Sequence, residues 1–69
     1  MTKAELDNLF AYHPPKGDQV DRYQKLRDSA KEFAAVILDL TPTCPDQTVA
    51  VRKVREAVMT ANAAIAIHE

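Results

Sequence analysis

Three side chains stand where recognition chemistry is expected. On a helical wheel Arg27 falls between Val20 and Ala34, inside an apolar sector, whereas Asp21, Lys25 and Glu32 lie on the opposite face. A guanidinium facing inward wants a partner, either a carboxylate of another subunit or an anionic ligand held by the planar fork. Tyr12 precedes His13-Pro14-Pro15, so its ring either packs against a helix or is presented at low entropic cost from a stiffened segment. Asn62, within Thr60-Ala61-Asn62-Ala63-Ala64, is an amide entering an apolar stretch, where it needs a hydrogen-bond partner such as another helix. A ligand that satisfies both an arginine fork and an aromatic ring carries phosphate and a stackable base, as a small nucleotide does.

Catalytic groups do not assemble in the same way. There is no GxxxxGK[ST], G-x-G-x-x-G, H-E-x-x-H or calcium loop, and the single glycine, Gly17, cannot build a phosphate cradle from backbone amides. Cys44 pairs on paper with His13 or His68 as nucleophile and base, but no third group orients such a pair. Cys44 reads instead as a small turn residue, and His68 as a cation complementing the dipole in the last turn of a helix. The expectation is a protein that is not an enzyme and uses no cofactor or metal.

The elements that must position these residues are helical. The breakers fall in two clusters, Pro14-Pro15-Lys16-Gly17 and Pro42 to Pro45, and alternating strand patterns are scarce. Thr2 and Glu5 have capping-box spacing ahead of a short helix over about 3 to 9. Asp18 is a plausible N-cap for a helix over about 19 to 40, with Val20, Tyr23, Leu26, Ala30, Phe33, Ala34, Ile37 and Leu38 as its apolar stripe. After the Thr41-Pro42-Thr43-Cys44-Pro45 turn, a third helix runs from about 46 to 68. The two long helices, each about 33 Å at 1.5 Å per residue, fold back as an antiparallel pair. Residues 1–69 thus read as one all-α domain.

That domain lacks the means to stabilise itself alone. Ordering 69 residues costs on the order of 100 kcal/mol, while a chain this short buries only about 60% of its unfolded surface. One cysteine excludes an internal disulfide framework and points to a reducing compartment. Oligomerisation is the supplement left. It is also implied by the last helix, where Ala50, Val51, Val54, Ala57, Val58, Ala61 and Ile65 form one stripe and Met59, Ala63, Ala66 and Ile67 fall off it. The expected state is a homo-oligomeric helical bundle with this segment at its centre. The opening Met1-Thr2-Lys3-Ala4-Glu5-Leu6 and the lack of a long apolar run read as soluble, cytoplasmic and off the membrane. Nine Lys plus Arg against ten Asp plus Glu give a net charge of −1, which argues against binding long nucleic acid.

Three stretches carry a family resemblance. Phe10-Ala11-Tyr12-His13-Pro14-Pro15-Lys16, then Gln19, Arg22-Tyr23 and Leu26-Arg27, and Glu56 to Ala66 (EAVMTANAAIA) resemble the phage-encoded anti-CBASS cyclic-oligonucleotide sponges. The resemblance implies a small helical protein that assembles into a hexamer in the cytoplasm of an infected bacterium. It implies sequestration, without cleavage, of cyclic dinucleotides such as 3',3'-cyclic GMP-AMP and cyclic trinucleotides such as cyclic tri-adenylate. Carried over by position, Tyr12 stacks on a base and Arg27, where some relatives have lysine, contacts the cyclic dinucleotide. His13, beside Tyr12, and Asn62 complete the candidate ligand-binding set. The rival reading is a structural helical-hairpin oligomer with protein partners only, in which Arg27 forms an intersubunit ion pair.

Overall fold

The computed structural model describes residues 1–69 and contains three helices: α1 (Lys3–Phe10), α2 (Gln19–Leu40) and α3 (Pro45–His68). Each boundary has a local cause. At α1 the capping box closes: the Glu5 amide donates to Thr2 Oγ1 at 3.0 Å and the Thr2 amide donates to Glu5 Oε2 at 3.3 Å, satisfying two otherwise orphaned donors. Ala11 is extended and the prolines follow, so α1 cannot continue. At the end of α2, Thr41 precedes Pro42 and is extended, while its amide and hydroxyl donate to the Ile37 carbonyl at 3.1 and 2.6 Å. Cys44, extended before Pro45, ends the turn, and Pro45 opens α3 with its φ already helical. The Gln47 amide closes the turn by donating to the Thr41 carbonyl at 3.2 Å and hydroxyl at 3.1 Å.

Two expectations about helix starts change in detail. Asp18 sits at the N-cap of α2 but makes no side-chain cap bond, because its carboxylate accepts from Arg22 Nε at 3.1 Å instead. A charged donor one turn along outcompetes the local amides. The third helix begins one residue before the expected start, at Pro45, and the first runs one residue longer, to Phe10.

Packing runs along a single seam. Leu26, Ala30, Ala34 and Ile37 of α2 are half-buried, as are Ala50, Val51, Val54, Val58, Ala61 and Ile65 of α3. Contacts at both ends, Gln47 with Thr41 and Glu69 with Arg22, make the pair antiparallel. Val20, Phe33 and Leu38 of the α2 stripe stay outside, Phe33 being 57% exposed, and Met59, off the α3 stripe, is 59% exposed. No apolar residue is buried at all, and the one buried residue is Gln19, 4% exposed. The last turns of α3 are better covered than a two-helix hairpin would allow, since α1 returns to them: Asn8 Nδ2 donates to the Ile67 carbonyl at 3.3 Å.

The result is a slab of 45 × 28 × 12 Å, one helix thick. Its radius of gyration is 15.3 Å, against about 11 Å for a globule of this length. Its accessible surface is 5616 Å², against about 4300 Å² for a folded monomer of this mass. No helix is long and apolar enough to cross a membrane.

The turn into α2 depends on Gly17, the only residue with positive φ, at 57°. Nothing lies within 4 Å of where its Cβ would be, so a substitution meets no clash and costs only backbone strain. Gly17→Ala is expected to lose about 1 to 2 kcal/mol of stability in urea unfolding at fixed protein concentration, with Gly17→Asn losing less. Equal stability of all three proteins would show that the left-handed turn is not required.

Candidate functional site

The connector between α1 and α2 is fixed at both ends and bare in the middle. Next to Tyr12, His13 Nε2 lies 2.8 Å from the Asn8 carbonyl. A carbonyl only accepts, so Nε2 carries the proton. Asn8 in turn reaches α3 through its bond to Ile67, which ties the end of α1, the connector and the end of α3 together. Pro14 and Pro15 then hold φ near −65° for two residues, and the Lys16 amide donates to Gln19 Oε1 at 3.1 Å. Tyr12, between these anchors, is 83% exposed and lines none of the cavities. The free ring matches the presented form of the expectation. His13 is an anchor for the loop that carries Tyr12, half-buried against α1.

Arg27 departs from the sequence expectation, because it is exposed rather than turned inward. The wheel placed it in the apolar sector of α2, but a single partner helix covers only a narrow seam, and Arg27 falls at its edge. There it borders a cavity of about 270 Å³ lined by Tyr23, Arg27, Asn62, Ala63 and Ala66. Its Nη1 donates to Gln24 Oε1 at 3.0 Å, and Gln24 donates onward to Asp28 Oδ1 at 2.8 Å. No carboxylate pairs with it, since both salt bridges of the chain belong to Arg22. In the wall of the same cavity Asn62 Oδ1 is buried without a hydrogen-bond partner. A cation with spare donors and a residue whose amide oxygen is buried without a partner therefore border one space, at a site small alanines keep open. The fold brings Arg27 and Asn62 together but leaves Tyr12 and His13 on the connector. Tyr23, read from sequence only as part of the stripe, joins the cavity because it lies one turn before Arg27 on the same face.

A second cluster was not anticipated. The Arg22 guanidinium grips the Glu69 carboxylate with both terminal nitrogens, Nη1 to Oε2 at 2.8 Å and Nη2 to Oε1, while its Nε serves Asp18. Gln19 Nε2 adds a bond to Glu69 Oε1 at 3.3 Å, and Lys16 Nζ donates to the Glu69 backbone carbonyl at 2.7 Å. These hydrogen bonds, first that from Arg22 and then that from Gln19, pull the Glu69 carboxyl down to about 2 from the usual 4.5, and the same contact holds Arg22 above its ordinary range. The Asp18–Arg22 pair has i, i+4 spacing and is visible in a sequence. A partner 47 positions away leaves no local trace.

With this geometry in hand, comparison with known families is decisive. A family model described as "Acb2/Tad1, hairpin domain" matches residues 2–66, nearly the whole chain. The chain belongs to that family. It is the anti-CBASS sponge family named from the connector and α3 motifs, and the Acb2/Tad1 hairpin is here the α2–α3 pair with α1 folded onto its open end. No curated protein and no solved structure gives a significant match. Glu69, the acceptor of the second cluster, lies beyond the matched stretch of the Acb2/Tad1 hairpin.

The depressed Glu69 carboxyl sets a pH window for this Acb2/Tad1 hairpin. Its contribution is complete above about 4.5 and is lost as the pH falls through that value toward about 2, where the folded-state group takes up its proton. Arg22 remains charged throughout. Glu69→Gln is therefore expected to lower the thermal midpoint at pH 6, with the difference from wild type shrinking between pH 4.5 and 2. A difference that stays constant across that window would exclude the carboxylate as its source.

Proposed function

We propose that this chain is a phage anti-defence protein that binds and sequesters cyclic di- and trinucleotide second messengers, such as 3',3'-cyclic GMP-AMP and cyclic tri-adenylate, in the cytoplasm of the infected bacterium. It does so as a homo-oligomer, a hexamer by family resemblance, and releases its ligand intact. The observation that carries the reading is Arg27, an unpaired guanidinium sharing a cavity with the orphaned Oδ1 of Asn62. A nucleotide answers both needs, with phosphate for the fork and base or ribose donors for the amide oxygen.

Family membership and the shape of the chain support the rest. A slab with apolar residues open on its faces needs a cover, and its excess surface, about 1300 Å², is of the order a stable interface buries. Arg27 and Tyr12 share no cavity within one chain, so the site is completed between chains. In a two-fold arrangement, two copies of Arg27 neutralise the two phosphates of a cyclic dinucleotide while two Tyr12 rings stack on its bases. Neither role requires a nucleophile or a general acid.

Tyr12→Ala is expected to weaken 3',3'-cyclic GMP-AMP binding about five- to 150-fold, the cost of losing one base stack, with Arg27→Ala at least as severe and the oligomer mass of both unchanged. Isothermal titration and mass photometry decide the matter. Wild-type affinity in both variants would overturn the site. A ligand at 100 times its dissociation constant adds about 2.7 kcal/mol to the folded state. Absence of any such stabilisation across cyclic di- and trinucleotides would leave a structural oligomer with protein partners as the function. Chromatography of ligand recovered after denaturation should return it uncut.

A further inference from the structure

Tyr12 is 83% exposed and its hydroxyl makes no hydrogen bond, yet the segment that carries it is tied to the far end of the chain by several bonds. Four of the hydrogen bonds that span more than 45 residues converge near the connector: Lys16 to the Glu69 carbonyl, and Gln19 and both terminal nitrogens of Arg22 to the Glu69 carboxylate. A fifth, from Asn8 to Ile67, secures its other side, and His13, the residue after Tyr12, donates to the Asn8 carbonyl. Gln19 is the only buried residue of the molecule, and its side chain spends one end on the Lys16 amide and the other on Glu69. In a slab without an interior, the one residue removed from water as a whole lies in the joint beneath this loop.

We propose that Glu69, Gln19 and Arg22 are positioning residues: they form a clamp that fixes the connector at Lys16, so that Tyr12 is offered to its ligand already in place. The claim rests on the ligand reading above and adds to it residues that touch no ligand. Transmission is stiff because Pro14 and Pro15 leave the backbone between the clamp and His13 with two φ angles already set. Without the clamp the loop keeps the His13 contact, the Lys16 ammonium bond to the Glu69 carbonyl and the turn bond from the Gln19 amide to the Lys16 carbonyl, and the ordering that the clamp supplied must be provided at the moment of binding. The clamp's carboxylate belongs to the residue that caps the C-terminal end of α3, beyond the family-matched residues.

Glu69→Ala tests this in the full chain. In the ligand-free protein, the backbone order parameters of Ala11, Tyr12, His13, Lys16 and Gly17 are expected to drop from the rigid range near 0.85 to below about 0.6. Affinity for 3',3'-cyclic GMP-AMP is expected to fall about two- to twelvefold at unchanged oligomer mass, the effect of ordering one side chain on binding rather than before it. The same substitution made in Tyr12→Ala should cost nothing further, because the clamp acts through that ring. An unaltered connector in Glu69→Ala overturns the clamp. A loosened connector with wild-type affinity, or an equal loss in the Tyr12→Ala background, overturns its positioning role. A wild-type chain that binds no cyclic dinucleotide overturns the functional reading, and the order parameters, measured without ligand, still decide the clamp.

Discussion

Two helices laid side by side, with a short third at their open end, form a slab 12 Å thick that leaves no volume more than one side chain from solvent, and the rest of the structure answers to that constraint. A helix presents an apolar sector wider than one neighbour can cover, so a single seam hides part of each stripe and leaves Phe33 and Leu38 outside, with the off-stripe Met59. Polar contacts then carry more of the local order than is usual in a small domain. The capping box starts α1, Thr41 and Gln47 close the hairpin, and Arg22 with Gln19 closes its open end.

The same constraint explains why the candidate site is split. A deep, enclosed pocket within one domain forms where two layers meet, and with one layer here the cavities are shallow and open to solvent. Arg27 and the half-buried Asn62 border one cavity at the seam while Tyr12 stands on a loop, each incomplete by itself. Under the proposed function, bringing them onto one ligand is a task for symmetry rather than for the fold of a single chain.

What the sequence revealed follows the range of the physics involved. Thr2 with Glu5, Pro42 before the end of the turn and Pro45 at a helix start act over three or four residues, and the boundaries they set could be read directly. The resemblance carried by the connector and the α3 motif named the family. The orientation of Arg27 could not be read, since a helical wheel assigns a face without saying how much of that face a neighbour covers. The Glu69 contact was equally hidden: nothing near Arg22 distinguishes a carboxylate 47 positions away from any other. Asn62 was conspicuous as an amide among alanines, but only the packed chain reveals that its oxygen goes without a partner.

A chain one helix thick has no interior to keep to itself, and this changes what dilution does to it. When the faces left open by the slab are closed by further copies, ordering and assembly become one equilibrium, and the folded fraction rises with the chain's own concentration. Each apolar residue on those faces then contributes to the shape of the protomer and to its contact with the next, so the two roles cannot be altered separately. Scarcity itself acts on such a protein as a denaturant.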